Sequence, residues 1–156
     1  MIQKSFFNYL IIIIFFLGCV DFDNEDDLET TTTTTGNNDY VSINFGSISQ
    51  NSIEIEIDTP YDIAGFQFNI SGANLIASSG GLAEDSGFTV SVGSDTGIVL
   101  GFAFDGSVIP SGSSDILTYL SYTIDSSLTE ICITDVVLSD SDGSSIDFVI
   151  GDCSVD

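Results

Sequence analysis

The side chains of this sequence that could do chemistry are carboxylates and cysteines. The chain has 24 acidic residues, three cysteines, no histidine and one cationic residue, Lys4. Because no cation or imidazole follows position 4, the protein cannot build a Ser-His-Asp or Cys-His nucleophile, a Schiff-base lysine or an arginine clamp on phosphate. Imidazole sites for zinc or copper are excluded as well. Nucleic acid is a poor partner, since phosphate binding needs cationic side chains.

Two carboxylate pairs have the residue types that a glycosidase uses. Glu54 and Glu56 alternate with isoleucines in a strand pattern, which places both on a solvent-facing side. Glu84 and Asp85 follow a Gly/Ser-rich loop that could border a groove. Neither pair has a neighbouring group that would turn one carboxyl into a proton donor. We therefore predict a non-catalytic protein, with no catalytic residue.

The segment from Asp140 to Asp147 has the carboxylates of a calcium loop but not its spacing. An EF-hand loop needs glycine at its sixth position, Glu at its twelfth and a helix on either side. Here Gly143 is fourth from Asp140, and both flanks have a strand pattern. We predict a hairpin tip, without a metal site or a cofactor, and weak calcium binding is the alternative.

The turn signal Asp142-Gly143 makes a prediction about two of the cysteines. It predicts a two-residue hairpin between the last two strands, and opposing residues in such a hairpin have a constant sum of residue numbers. The sum for Cys132 and Cys153 equals that for Asp142 and Gly143, so the two cysteines would lie opposite each other. They would form a non-hydrogen-bonded pair, close enough for a disulfide. Two free buried thiols are the alternative.

The third cysteine, Cys19, follows an apolar run that extends from Phe6 to Leu17. This run is too short for a membrane-spanning helix, which needs about 20 apolar residues, and has the size of a signal-peptide core. Leu17-Gly18-Cys19 resembles the lipobox of bacterial lipoproteins, in which the cysteine is diacylated and the preceding peptide is removed. The resemblance implies a signal peptide over residues 1–18 and a lipid on Cys19. An uncleaved signal anchor with an incidental cysteine is the alternative.

Residues 19–38 have the composition of a tether. The acidic stretch Asp21–Asp27 resembles the export signal of lipoproteins that reach the cell surface, although a solvated leash explains it equally. Thr30–Thr35 is an uninterrupted threonine run with nothing apolar to bury. We expect an exported, membrane-anchored lipoprotein at the outer membrane or cell surface.

From residue 39 onward, short apolar runs alternate with Gly, Ser, Asn and Asp. The clearest strand is 53–58, where three isoleucines face one way and three carboxylates the other. Nine strands are predicted: 41–47, 53–58, 63–70, 74–78, 87–92, 97–104, 116–124, 130–138 and 146–151. With no convincing helical period, the sequence predicts an all-β domain over residues 39–156, a nine-stranded β-sandwich with jelly-roll topology.

Residues 40–153 resemble the cohesin domain, the β-sandwich module of bacterial cellulosomes. The resemblance is carried by Ile63–Ile70, Gly97–Phe104 and Asp115–Tyr122, and by the closing segment Ile131–Cys153. It implies a sheet face able to dock a dockerin, which is a small calcium-loaded helical module.

The resemblance also implies which residues would contact a partner. The third strand of well-studied cohesins presents polar recognition residues outward, and the matching positions here are Gly65, Gln67 and Asn69. Cohesins usually have asparagine in place of Gly65 and aspartate in place of Gln67. These three residues form the predicted binding face, and plain solvent exposure is the alternative.

The predicted function is protein binding or adhesion by a surface-displayed lipoprotein, with a dockerin-like protein as one expected partner. A second hypothesis is a carbohydrate-binding module, for which Tyr61 and Tyr119 are the candidate exposed aromatic residues for a glycan. A third is a purely structural cell-surface protein.

Overall fold

The computed structural model describes residues 39–124 and 130–155. The predicted signal peptide, the lipid site Cys19 and the tether over 19–38 lie outside the described residues. The strands are β1 (Val41–Ile48), β2 (Ser52–Thr59), β3 (Gly65–Ser71), β4 (Ala73–Ser79), β5 (Thr89–Val92), β6 (Ile98–Phe102), β7 (Ser113–Ile124), β8 (Glu130–Ser139), β9 (Phe148–Ile150) and β10 (Ser154–Val155), and one helix, α1 (Gly81–Asp85), follows β4. In this part of the chain no helix is long and apolar enough to cross a membrane.

The strands form two five-stranded sheets, ordered β4-β7-β2-β1-β9 and β10-β8-β3-β6-β5. Neighbouring strands pair antiparallel, except that β1 and β9 run parallel, with Val41 opposite Phe148. The buried apolar side chains lie on the inner sides of both sheets. The predicted all-β sandwich is thereby confirmed.

Alternation along β2 shows why these residues form a half-buried strand. Its three isoleucines are buried, with exposed fractions of 0–2%, and its three carboxylates point to the outer side. β-branched side chains pack well on the pleated inner surface, while charges stay in water. The pattern of the sequence and the burial in the structure agree residue by residue.

The aromatic centre of the core belongs to β3. Phe66 and Phe68 point inward, and the ring of Phe66 lies 5.9 Å from the rings of Phe68 and Phe88. Gly101 of β6 is directly opposite Phe66. A Cβ at Gly101 would lie 2.1 Å from Phe66 Cζ, so only glycine leaves space for this ring.

Two elements differ from the prediction. A tenth strand, Ser154–Val155, pairs with β8. The helix α1 lies where the sequence predicted part of a Gly/Ser-rich loop. The helix has five residues and begins where Gly80 and Gly81 adopt positive φ angles of 64° and 73°. One helical turn is too short to show a 3.6-residue period, which is why sequence periodicity missed it.

The hairpin predicted between the strands 130–138 and 146–151 is wrong. A turn does form, with the Ser144 carbonyl accepting from the Asp140 N–H at 3.0 Å, but pairing ends at an isolated bridge between Ser139 and Ser145. The chain then crosses to the other sheet, where β9 pairs with β1. A turn signal fixes local geometry only, and the pairing partner of β9 is decided by long-range packing.

The structure nevertheless joins Cys132 to Cys153 by a disulfide, with a Cα–Cα distance of 4.4 Å. After β9 the chain returns to the sheet that contains β8, and β10 forms there with Ser154 opposite Ile131. This register has the residue-number sum that the hairpin would have given, although the ladder is interrupted between Ser145 and Ser154. The bond links the C-terminal strand to β8.

Loss of this bond should destabilise the domain. Replacing both Cys132 and Cys153 by serine is expected to lower the free energy of unfolding by about 3 kcal/mol, because a closed loop of about 20 residues restricts the unfolded chain. Urea denaturation measures the difference. In a Cys19→Ser background, denatured protein should titrate no thiols before reduction and two after; two thiols before reduction would contradict the bond.

Candidate functional site

The outer side of strands β8, β3 and β6 carries apolar side chains in rows across the strands. Gln67 of β3 lies between Val137 of β8 and Leu100 of β6. Val137 is 53% exposed and Leu100 39%. One row along, Asn69 is opposite Ile98, which is 38% exposed. Directly opposed side chains of neighbouring strands lie about 5 Å apart, so these residues form one continuous surface.

Two phenylalanines, the last residue of β6 and one just after it, extend this surface. Phe102 is opposite Gly65 of β3, and its ring packs edge-on against Phe104 at a centroid distance of 4.7 Å. Phe104 is 82% exposed. We call the surface formed by Ile98, Leu100, Phe102, Phe104, Val137 and Gln67 the apolar face. A contiguous exposed apolar surface of this kind is typical of an interaction site.

The outer side of the other sheet is different in character. Along β1, β2 and the start of β7 it carries hydroxyl, amide and carboxylate groups that line a shallow groove of about 440 Å³: Ser42, Asn44, Glu56, Asp58, Ser114 and Asp115. The centre of this sheet is therefore polar and acidic on its outer side, while its edge strands β4 and β9 expose Ile76, Val149 and Ile150. The difference marks the apolar face as the candidate site.

A β-bulge displays a carboxylate beside the apolar face. The register of β3 with β8 shifts between Gln67 and Asn69, because β8 has an extra residue there. Asp135 lies in this bulge with φ 52°, the one positive φ among the non-glycine residues that the structure describes. Its side chain is exposed, and its Oδ2 accepts a hydrogen bond from the Thr134 hydroxyl at 3.2 Å. Bulges commonly re-aim side chains at functional sites.

Asp105 adds a second carboxylate next to Phe104. Hydrogen bonds from the Ser107 side chain and backbone hold the pKa of Asp105 below its usual range, and the Ser107 N–H donates to Oδ1 at 3.0 Å. This group therefore stays negatively charged into mildly acidic solution.

The three residues predicted from the third strand do not contribute equally. Gln67 lies at the centre of the apolar face, whereas Gly65 has no side chain to offer and its carbonyl accepts from the Ser139 hydroxyl at 3.5 Å. Asn69 turns toward the β5–β6 connection, where a Cβ on Gly97 would lie 2.6 Å from its Oδ1. That oxygen is buried and has no hydrogen-bond partner in the described part of the chain.

Two of the four carboxylates considered for catalysis, Glu54 and Glu84, have structural contacts. Oε2 of Glu54 accepts the Ser47 N–H at 2.9 Å, and a carboxylate oxygen of Glu84 accepts the Gly80 N–H. Glu54 therefore fixes the bulge in β1, and Glu84 holds the start of α1.

The candidate calcium loop uses its first carboxylate for the turn. Oδ1 of Asp140 accepts hydrogen bonds from the N–H groups of Asp142 and Ser144 at 2.9 and 2.8 Å.

A second possible metal site is the cluster of Glu130 with Cys132 and Cys153, whose ligand atoms lie close together. Both sulfurs are in the disulfide, so this cluster offers a single carboxylate ligand.

The two tyrosines considered for glycan binding lie near opposite ends of β2. Tyr119 is opposite Glu54 near the start of the strand, and Tyr61 follows its end at Thr59. At about 3.3 Å per residue they are more than about 15 Å apart, so they do not form one platform. Tyr61 borders a separate acidic groove of about 420 Å³ and donates to the Asp39 carbonyl at 3.0 Å.

Sequence reasoning missed most residues of the apolar face. In 97–104 both sides of the strand are apolar, since Ile98 and Leu100 alternate with Val99, Gly101 and Ala103. Periodicity separates the two sides but cannot tell which is outward. The polar residues Gln67 and Asn69 on the neighbouring strand indicate the outward side. The side chains directly opposite them on β6 point to the same side of the sheet.

The fold is similar to solved cohesin structures. No protein-family model and no curated protein matches the chain. A non-cellulosomal cohesin from the archaeon Archaeoglobus fulgidus matches with a TM-score of 0.51 and 18% identity, covering 71% of this chain and 86% of that one. The cohesin CaCohA2 from Clostridium acetobutylicum matches with 0.53 and 18%, covering 74% and 88%. The Coh-OlpC–Doc435 cohesin–dockerin complex from Clostridium thermocellum matches with 0.51 and 14%, covering 72% and 89%. The described residues therefore form a β-sandwich domain of the cohesin fold.

Proposed function

We propose that this protein is a non-catalytic binding module that docks a protein partner on the apolar face. The observation that carries the proposal is the contrast between the central strands of the two sheets: the outer side of β1, β2 and the start of β7 is acidic and polar, whereas that of β8, β3 and β6 exposes Leu100 and Val137, with Phe104 just beyond β6. A few side chains near the centre of a protein interface, packed and shielded from water, supply most of its binding energy.

A dockerin-type module is the proposed class of partner. Solved structures of the same fold include the Coh-OlpC–Doc435 complex and a complex of CaCohA2 with a variant of CaDoc0917. These complexes support the proposal that this domain also binds a small protein module. Since Gly65 replaces the asparagine and the uncharged Gln67 replaces the aspartate usual in cohesins, the contact here relies more on apolar side chains.

Display outside the cell membrane is the second part of the proposal. Leu17-Gly18-Cys19 supports a lipid on Cys19, and the acidic and threonine-rich tether that follows supports display at the outer membrane or cell surface. Incorporation of radiolabelled palmitate into the full chain, with Cys19→Ser as the control, tests the anchor. Equal labelling of both chains would contradict it.

Binding to a panel of purified dockerin modules tests the docking function. At least one calcium-loaded dockerin should bind the purified protein, and chelation should abolish that binding because the partner loses its fold. A panel in which no dockerin binds would contradict a dockerin-type partner.

Glycan binding is the second candidate, favoured by the Tyr61 groove and its carboxylates Asp39, Asp62, Asp140 and Asp147. Aromatic rings and acidic groups together are typical of sugar contacts. A glycan array distinguishes the two functions: a glycan that binds the wild type and is lost with Tyr61→Ala, but retained with Tyr119→Ala, would favour this candidate.

A further inference from the structure

We infer, on the basis of the proposed docking function, that Asp135 is the charged anchor of the apolar face and that the partner presents a lysine or arginine to it. The partner surface would thus be apolar at its centre, with a cationic side chain placed opposite the β8 bulge. Asp135 would then determine specificity, and the partner would carry a positive charge at the point of contact.

The backbone places Asp135 where a docked partner would cover it. The bulge lies between the pairs Gln67–Val137 and Asn69–Thr134, so the carboxylate neighbours the exposed Val137 side chain. A positive φ is unfavourable for most residues but tolerated by aspartate and asparagine. The hydrogen bond from Thr134 restricts the carboxylate further, so less side-chain entropy is lost when a partner binds.

The charge of the chain decides which partner fits. No Lys, Arg or His follows Lys4 in the sequence, so no side chain of the domain itself can form an ion pair with Asp135. A partner that covers this carboxylate without supplying a cation leaves a desolvated charge unpaired, which is costly. A partner with a lysine or arginine at that point gains an ion pair in a partly dehydrated contact. Asp135 therefore rejects neutral and acidic surfaces.

The same charge argues against other occupants of the face. A second copy of this chain would bring another strongly acidic domain and another unpaired Asp135, because the formal net charge of the chain is −23. An anionic lipid surface would be repelled likewise. Both leave the carboxylate of Asp135 without a cationic partner, so a cationic protein surface is the occupant that the electrostatics select.

A displayed library tests the inference with a defined probe. Three-helix scaffolds with one randomised helical face are selected on yeast for binding to the purified protein, and only clones that lose binding to Leu100→Arg are kept. These clones use the apolar face. Their Kd is then measured for wild type, Asp135→Asn, Asp135→Gly and the control Asp58→Asn, which removes one exposed carboxylate from the opposite sheet.

The retained clones should bind Asp135→Asn and Asp135→Gly about tenfold more weakly than wild type, and Asp58→Asn within about twofold. Asparagine and glycine both accept positive φ, so melting temperatures should stay unchanged. One Lys→Gln or Arg→Gln change in each clone should remove the effect of Asp135→Asn, as a double-mutant cycle reveals.

Two other outcomes would show whether the role of Asp135 or the docking face itself is wrong. Equal affinity for wild type and Asp135→Asn, or an equal loss with Asp58→Asn, would overturn the role of Asp135 while leaving the docking face intact. Selection that returns no clone sensitive to Leu100→Arg would overturn the docking face itself, and with it the inference.

Discussion

Replacing Phe68 with alanine is expected to lower the free energy of unfolding by about 4 kcal/mol. Phe68 is 0% exposed and its ring stacks against Phe66 at the centre of the sandwich. Truncation removes the burial of a large aromatic side chain and leaves a cavity that two hydrogen-bonded sheets cannot close. Since a domain of this size is stable by about 5–15 kcal/mol, the loss is a large share of the total.

Phe104→Ala is the matched control for this substitution. The same atoms are removed, but Phe104 is 82% exposed and its ring packs against Phe102 at the surface. Its effect on stability should be within about 0.5 kcal/mol. Chemical denaturation of both variants, compared with wild type, measures the two values. Similar losses for Phe68→Ala and Phe104→Ala would contradict the placement of these side chains.

Local sequence patterns predicted the strands well, because every second residue of a strand that is buried on one side is apolar. The three isoleucines of β2 and the phenylalanines of β3 occupy the inner sides that alternation assigns to them. The strong preference of β-branched and aromatic residues for strands points the same way. Agreement between pattern and preference explains why the sandwich itself could be predicted.

Pairing between distant elements was harder to predict. Asp142-Gly143 indicates a turn, and a turn forms there, yet β9 leaves β8 and pairs with β1. Which strand a three-residue segment joins depends on the shape of the remaining sheet edge, a property that no local pattern contains. The cysteines came together all the same, because β10 returns to β8 in the register that they require.

The candidate site was predicted only in part. Gln67 was identified from the third strand, but the apolar residues around it were not, because both sides of β6 are apolar in the sequence. The outward side is decided by Gly101, whose missing side chain makes room for the Phe66 ring. The position of Asp135 depends on a bulge, and an extra residue in one strand shows only once the partner strand is known.

Leu100→Arg should weaken partner binding by about 100-fold. Leu100 lies at the centre of the apolar face, opposite Gln67 on one side and Ser91 on the other. Arginine there removes an apolar contact and places a charge at the point where the interface must exclude water. Stability should change little, because the side chain is already 39% exposed in the free protein.

Ile76→Arg provides the matched control. Ile76 is 61% exposed on β4, which belongs to the other sheet. The substitution adds the same charge and removes the same kind of side chain, but outside the apolar face. Any general effect of charge on association should therefore appear equally in both variants.

Docking on the apolar face is tested by isothermal titration of these two variants with a calcium-loaded dockerin that binds the wild-type protein. We expect Ile76→Arg to keep the wild-type Kd within about twofold, and Leu100→Arg to bind about 100-fold more weakly. Wild-type affinity of Leu100→Arg, or a larger loss with Ile76→Arg, would place the partner elsewhere and contradict docking on the apolar face.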